Sequence, residues 1–322
     1  MSRNILINNL RCCVGQQKYG VNLGGDFIIK KLYNSKMINN ILVKNIEFLN
    51  NHFIRSSING YKQKINRYVQ INDGYKQMIN SYEQSINGYT KIITKNTQLL
   101  YISNNGYSQT YDSIFNSIDN KFCLNIGGDH SIGAATIQPL LDIYNDDLLV
   151  IWIDAHADVN TYETSLTQNK HGMPIAPLLG LMEHWYSIGT NINHHKLKPE
   201  NLLYIGIRDL DPEEANLIDK LNIKHFVKYS NEIDNWIKNH KASKIHISFD
   251  IDSIDPEYMP STGTPVSDGL LIEDVNQIIK LSNDKLISLD IVEYNPCIGT
   301  LTEQQQTLNN IIKIIKKCNI II

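Results

Sequence analysis

The sequence predicts an α/β domain with a mostly parallel sheet that is covered by helices on both faces. Short apolar runs of strand length alternate with segments of helical periodicity through much of the 322 residues, and that alternation is typical of parallel sheets. Three of the apolar runs end in clusters of Asp and His. No Pro/Gly/Ser-rich linker separates these clusters, so we expect residues 1–322 to form a single domain.

The strands and helices follow one another in a regular order. Runs rich in Ile, Leu, Val and Tyr predict strands at 4–9, 121–126, 148–153, 202–207, 223–227, 244–250 and 286–290. Apolar residues at helical spacing predict helices near 132–144, 212–221, 231–240, 272–282 and 303–317. The helices are spaced as right-handed crossovers between parallel strands require.

A heptad repeat distinguishes one segment, at about 57–97. Tyrosines recur every seven residues from Tyr61 to Tyr89, and isoleucines precede most of them by three residues. This pattern predicts a long amphipathic helix with an Ile/Tyr seam. The seam could pack on the domain's own sheet, or it could bind a partner or a second copy of the chain.

Composition argues against several classes of protein. The formal net charge is −3 and there is no polybasic stretch, so we expect neither nucleic acid nor a membrane surface as a partner. No apolar run approaches the ~20 residues of a membrane span. Five cysteines without CxxC spacing, and an N-terminus without a signal-peptide core, predict a cytoplasmic protein with reduced thiols.

Acidic and imidazole groups follow two of the predicted strands. The first cluster is Asp154-Ala-His156-Ala-Asp158, after the run 148–153, and the second is Asp250-Ile-Asp252, after 245–249. In a strand, residues two apart lie on one face, so each run delivers its polar groups to a single side. Open α/β sheets bind ligands at the carboxyl ends of their strands. Both clusters are therefore expected at one binding site.

A third cluster completes a candidate metal site. Gly127 and Gly128 allow a tight turn after the run 121–126 and place His130 at the end of that strand. The candidate ligands are His130, Asp154, His156, Asp158, Asp250 and Asp252. A single Asp-x-His is usually a satisfied polar pair, but three such clusters without Lys or Arg indicate cations. Four carboxylates and two imidazoles suit Mn²⁺, and their number suggests two ions that share bridging carboxylates.

These motifs resemble those of a known family. Gly127–Ser131, Asp154–Asp158 and Ser248–Pro256 are similar to the three metal signatures of the ureohydrolases, the arginase and agmatinase family. Gly15-Gln16 resembles part of an N-terminal loop of that family. The resemblance implies a three-layer α/β/α fold and two Mn²⁺ per chain. One ion would take His130, Asp154, Asp158 and Asp250, and the other would take His156, Asp154, Asp250 and Asp252.

Further segments resemble arginase in particular: His171–Pro174, Gly206–Pro212, Thr262–Val266 and Leu289–Pro296. The resemblance implies hydrolysis of L-arginine to L-ornithine and urea, with His171, Glu293 and Asp158 as catalytic groups. His171 would move the proton and Glu293 would bind the guanidinium. The remaining substrate contacts implied are Asn160 and Thr167 for the α-carboxylate, Asp211 for the α-ammonium, and Thr264, with Asp209, in support.

Other interpretations stay open at this stage. The family's usual Ser-Gly-Asn reads Thr167-Gln168-Asn169 here. An agmatinase or another guanidino ureohydrolase would share the metal chemistry but would not need Asn160 and Thr167, because agmatine has no α-carboxylate. A catalytically idle scaffold acting through the heptad segment is a third interpretation. The oligomeric state is open, with a homo-oligomer among the expectations.

Overall fold

The fold is taken from a computed structural model, which describes residues 5–16, 18, 20–35, 37, 42–48, 105–186 and 193–318. The predicted heptad segment at about 57–97 lies outside the described residues.

A single eight-stranded sheet forms the centre of the described structure. Its strands are β1 (Ile5–Arg11), β2 (Leu42–Glu47), β3 (Phe122–Gly127), β4 (Leu148–Ile153), β5 (Leu202–Ile205), β6 (Lys224–Phe226), β7 (Lys244–Asp250) and β8 (Leu286–Val292). The order is β2-β1-β3-β8-β7-β4-β5-β6, and every pairing is parallel. All seven predicted strands are present. β2 was not predicted, because Lys44 and Asn45 interrupt its apolar pattern.

Helices connect the strands. They are α1 (Gly24–Asn34), α2 (Asn105–Phe115), α3 (Gly133–Tyr144), α4 (Ile175–Leu178), α5 (Pro212–Leu221), α6 (Asn231–Asn239), α7 (Ile272–Ser282) and α8 (Leu301–Ile315). The five predicted helices are α3, α5, α6, α7 and α8. The sequence did not predict α1, which opens on two glycines of poor helix propensity, or α2, which is rich in Gly, Ser and Tyr. It also did not predict the single turn of α4.

The helices lie in two layers because successive strand residues point to opposite faces of the sheet. On one face Ile7, Leu124 and Ile151 pack with α1, α6, α7 and α8. On the other face their neighbours in sequence, such as Leu6 and Val150, pack with α2, α3, α4 and α5. The described structure is therefore the predicted three-layer α/β/α fold.

The sheet order brings the predicted site together. β3, β8, β7 and β4 are adjacent at the centre of the sheet, and their last residues are in register: Ile126 with Ile291, Ile291 with Phe249, and Phe249 with Ile153. The segments that follow these strands consequently leave the sheet at the same edge. Within the described residues, we find no helix with the length and apolar character of a membrane span.

Candidate metal centre

Gly128 determines how the chain enters the site after β3. A Cβ on Gly128 would lie 1.6 Å from the carbonyl oxygen of Cys12, so only glycine allows the two segments to pass. The Asp129 carboxylate then accepts a hydrogen bond from the backbone N–H of Ser131, at 3.1 Å, and caps the following turn. This arrangement places His130 at the carboxyl edge of the sheet, as the sequence predicted.

The His130 ring is held in one orientation. Its Nε2 lies 2.9 Å from Ser248 Oγ, and the ring stacks on Trp152 with 3.9 Å between centroids. Nδ1 therefore faces the carboxylates. It lies 2.9 Å from Asp154 Oδ2 and 3.2 Å from one oxygen each of Asp158 and Asp250. This buried nitrogen makes no well-aligned hydrogen bond, as expected of an atom that binds a cation with its neighbours.

Asp154 connects the residues around His130 to a second cluster around His156. While its Oδ2 faces His130, its Oδ1 lies 3.4 Å from Nδ1 of His156. The same His156 nitrogen is 3.3 Å from Asp252 Oδ2. The described residues thus contain two groups able to hold a cation, His130 with Asp154 and Asp250, and His156 with Asp154 and Asp252. The two groups share Asp154.

Burial makes this concentration of carboxylates unfavourable without added positive charge. Burial and the charge of Asp154 raise the pKa of Asp158 to about 6 and also raise the pKa of Asp252. Burial and the charges of Asp252 and Asp154 raise the pKa of Asp250. Burial opposes protonation of the His156 ring, but the Asp252 and Asp154 carboxylates outweigh it and raise the pKa of His156. The donor set of carboxylate oxygens and imidazole nitrogens suits divalent cations, which would relieve the repulsion.

Surrounding groups support the second half of the centre. The Thr264 hydroxyl donates to Asp252 Oδ2 at 2.9 Å, and the backbone N–H of Asp252 donates to Asp250 Oδ1 at 2.9 Å. Asp209 lies farther out, with 3.7 Å between its Oδ2 and Nε2 of His156, and 67% of its side chain is exposed. Thr264 and Asp209 therefore both lie beside the cation groups.

Glu293 and His171 lie together beside His130. Glu293 directly follows β8 with a φ of 67°, an unusual conformation for a residue other than glycine. Its Oε1 accepts a hydrogen bond from the backbone N–H of His130 at 2.9 Å and lies 3.5 Å from Nδ1 of His171. Non-glycine residues in this conformation concentrate at functional sites. Glu293 thus joins His171 to the turn of residues 129–132, which we call the His130 loop.

The residues predicted for the amino-acid end of the substrate are only partly assembled. Asn160 Nδ2 donates to Asp211 Oδ2 at 2.9 Å, and the Asn160 side-chain oxygen accepts from Thr164 at 2.8 Å. Thr167 is exposed, and its hydroxyl accepts from the backbone N–H of Asn169 at 3.3 Å. Gln168 has a φ of 60°. A glycine adopts this conformation without strain, whereas a glutamine adopts it rarely. Gln168 is therefore an unusual residue at this position.

Two further residues of this region received no role from sequence reasoning. Gln16 donates from Nε2 to Glu293 Oε2 at 2.6 Å. Arg208 uses all five of its N–H groups on backbone carbonyls, those of Gly206, Asp252, Ser253, Val266 and Ser267. Both residues fall inside segments that resemble the family, Gly15-Gln16 and Gly206–Pro212. The sequence contains the motifs of both residues, but it does not indicate which groups they hydrogen-bond.

Comparison with known proteins agrees with this arrangement. Residues 53–319 match the model of the arginase family. An arginase of Plasmodium berghei is 42% identical over 193 residues, which cover 55% of this chain and 53% of that relative. The chain thus spans about half the length of this curated relative. An arginase of Entamoeba histolytica is 39% identical over 219 residues, which cover 63% of this chain and 71% of the relative.

A solved structure is similar in fold as well as in sequence. The crystal structure of Entamoeba histolytica arginase in complex with L-ornithine superposes with a TM-score of 0.71 and 28% sequence identity, covering 99% of both chains. The shared sheet, the two cation-binding groups and the match to the family model over most of the sequence lead to one conclusion. This chain belongs to the arginase family.

Proposed function

We propose that this protein hydrolyses the guanidinium group of L-arginine, producing L-ornithine and urea, at a centre of two manganese ions. The observation that carries the proposal is the position of Asp154, whose two carboxylate oxygens face the separate imidazoles of His130 and His156. A carboxylate placed in this way can bridge two cations. Family membership supports cleavage of a guanidino C–N bond.

The donor chemistry supports manganese as the metal. The ligands we assign are carboxylate oxygens and imidazole nitrogens, without the thiolates that select zinc or copper(I). We assign them to two ions: His130, Asp154, Asp158 and Asp250 to one, and His156, Asp154, Asp250 and Asp252 to the other. A pair of divalent ions held by these residues would lower the pKa of a water molecule and so supply hydroxide near neutral pH.

The residues around the centre would bind the substrate and move its proton. The guanidinium is a planar cation, and the Glu293 carboxylate can accept its N–H groups as charge-assisted hydrogen bonds. Burial opposes protonation of His171, but Glu293 outweighs it and raises the pKa of His171 to about 9. Glu293 thus favours the protonated ring in the metal-free protein, and a protonated His171 can give its proton to the departing amine. Asp158, which lies 3.2 Å from His130 Nδ1 and is also a ligand we assign, is the third catalytic group.

The amino-acid end of the substrate distinguishes arginine from agmatine. We assign Asn160 and Thr167 to the α-carboxylate and Asp211 to the α-ammonium. The Asn160–Asp211 hydrogen bond supports this assignment. The exposed position of Thr167 and the Gln168 substitution favour weaker selection of the carboxylate, so agmatinase is the second candidate. We further infer a cytoplasmic location from the five cysteines without CxxC spacing.

A panel of substrates tests the proposal. Urea release is measured from L-arginine, agmatine and 4-guanidinobutyrate, which keeps a carboxylate but lacks the α-ammonium, after chelation and again after Mn²⁺ is restored. We expect L-arginine to be the best substrate and activity to return with Mn²⁺. If the enzyme prefers agmatine, the assigned activity becomes agmatinase. If it releases no urea from any of the guanidino compounds, the proposed function is overturned.

A further inference from the structure

Gln16 is a buried residue of the proposed substrate site that holds no cation. It lies on the segment after β1, with only 4% of its surface exposed. The segment is fixed at Gly15, whose N–H donates to Asp129 Oδ2 at 2.8 Å and whose carbonyl accepts from the backbone N–H of His171 at 3.1 Å. The backbone next to Gln16 is therefore tied to Asp129, which precedes His130, and to His171.

The orientation of the Gln16 amide follows from its partner. Nε2 lies 2.6 Å from Glu293 Oε2. Since an ionised carboxylate only accepts hydrogen bonds, the amide nitrogen must face Glu293 and the amide oxygen must point elsewhere. Oε1 faces Gly263, where a Cβ would lie 3.4 Å away from it. Gly263 directly precedes Thr264, which donates to Asp252. Oε1 thus lies beside the segment that carries Thr264, while Nε2 of the same amide contacts Glu293.

This oxygen is buried and accepts no hydrogen bond from the described residues. Leaving a buried acceptor unpaired is unfavourable, and such atoms in native proteins usually have a partner that is a ligand or a water. A guanidinium offers five N–H donors in a plane and no acceptor. Its N–H groups can therefore donate to a carboxylate and to an amide oxygen that lie side by side.

We propose that Gln16 is a substrate-binding and positioning residue, whose Oε1 accepts an N–H of the substrate guanidinium while its Nε2 holds Glu293 in place. This inference rests on the proposed function and adds to it a residue that hydrogen-bonds the guanidinium directly. An amine has fewer donors and lacks their planar arrangement, so Gln16 selects the guanidino end of the substrate over the amino group of the product.

The variant Gln16→Met tests this role, because Met has similar length but neither donor nor acceptor. The matched control is Gln305→Met on α8, where the glutamine is exposed and donates to Asn309. For Gln16→Met with L-arginine we expect kcat/KM to fall about 10- to 100-fold. We expect its inhibition constant for L-ornithine, which lacks the guanidinium, to stay within about twofold of the wild-type value. Gln305→Met should match the wild type in both.

Two results would overturn the inference in an active enzyme. One is an unchanged kcat/KM in Gln16→Met, which would mean that Oε1 holds only a water. The other is equal weakening of arginine and ornithine, which would mean that Gln16 only stabilises the fold. If the wild type releases no urea, the proposed function fails separately. L-Arginine is then a stable ligand, and calorimetry gives its Kd for both forms. Weaker binding by Gln16→Met supports the inference, whereas equal or undetectable binding overturns it.

Discussion

The imidazole of His171 lies against the carboxylate of Glu293, with 3.5 Å between Nδ1 and Oε1. The two residues come from distant parts of the chain and meet beside the His130 loop, because Glu293 also accepts the backbone N–H of His130. His171, which can carry a proton, therefore lies next to Glu293, which can bind a cationic group. This proximity should also affect the stability of the metal-free protein.

The contribution of His171 to stability should fall with rising pH. Burial opposes its protonation, but Glu293 raises the pKa of His171 in the folded protein to about 9, above the unfolded value of about 6.5. The stabilisation is complete below the unfolded pKa and is lost as the pH rises through the folded one. Between about pH 6 and pH 10, the stability lost on His171→Gln in metal-stripped protein should shrink by about 1–3 kcal/mol. Urea denaturation measures it, with the exposed His225→Gln as control. A difference independent of pH would contradict the coupling.

Removing the charge of Glu293 should weaken substrate binding selectively. Glu293→Gln keeps the size of the side chain and its acceptor oxygen but loses the charge-assisted bonds to a guanidinium. We expect KM for L-arginine to rise about 10- to 100-fold while the metal content per chain stays unchanged. Steady-state kinetics and elemental analysis measure these two quantities. An unchanged KM would exclude Glu293 from contact with the guanidinium.

The shared carboxylate predicts how metal content responds to mutation. Asp154→Asn removes the negative charge that both cation groups share and replaces one of the two oxygens by an NH2 group, which cannot bind a cation. The bound Mn²⁺ should therefore fall below the wild-type content, and urea release should fall at least about 100-fold. Asp219→Asn, at an exposed position on α5, is the control and should behave as the wild type does. Full metal content and activity in Asp154→Asn would show that Asp154 does not bridge two ions.

Arg208 should be sensitive even to a conservative replacement. Its five N–H groups join the ends of β5 and β7 to the segment that carries Thr264. Lysine has three donors on one atom and cannot reach carbonyls around a plane. Arg208→Lys should lower the free energy of unfolding by about 2–4 kcal/mol. Arg11→Lys, which keeps a positive charge beside Asp26, should cost less than Arg208→Lys. Chemical denaturation compares the two, and equal losses would argue against the carbonyl network.

Selection of arginine over agmatine should depend on Asn160. A site built to hydrogen-bond an α-carboxylate leaves polar groups unpaired with agmatine, and the resulting preference can reach ~10⁴ in kcat/KM. Asn160→Ala should lower kcat/KM for L-arginine about 10- to 100-fold and leave the value for agmatine within about threefold. Kinetics with both substrates measure the ratio. An equal loss for both would place Asn160 outside carboxylate recognition.

Much of the fold could be predicted because its signals are local. The run Leu148–Ile153 is apolar throughout, as a central parallel strand must be, and α5 begins with Asp211 and Pro212, a strong helix start. β2 and α1 lacked such signals. Polar residues interrupt β2, and α1 begins with two glycines, so their conformations depend on packing against β1 and β3.

The sequence by itself determined the fold class, and it showed that Asp154, His156 and Asp158 directly follow the apolar run of β4. The three residues lie beyond the end of β4, and Asp158 has a φ of 53°, so strand alternation does not place their side chains. Only the tertiary structure decided which atoms meet. The order β3-β8-β7-β4 brings the four segments that follow these strands to one edge. The tertiary structure also directs the two oxygens of Asp154 to different imidazoles and places Gln16 against Glu293. These contacts join residues far apart in the chain, and no local periodicity encodes the distance between them.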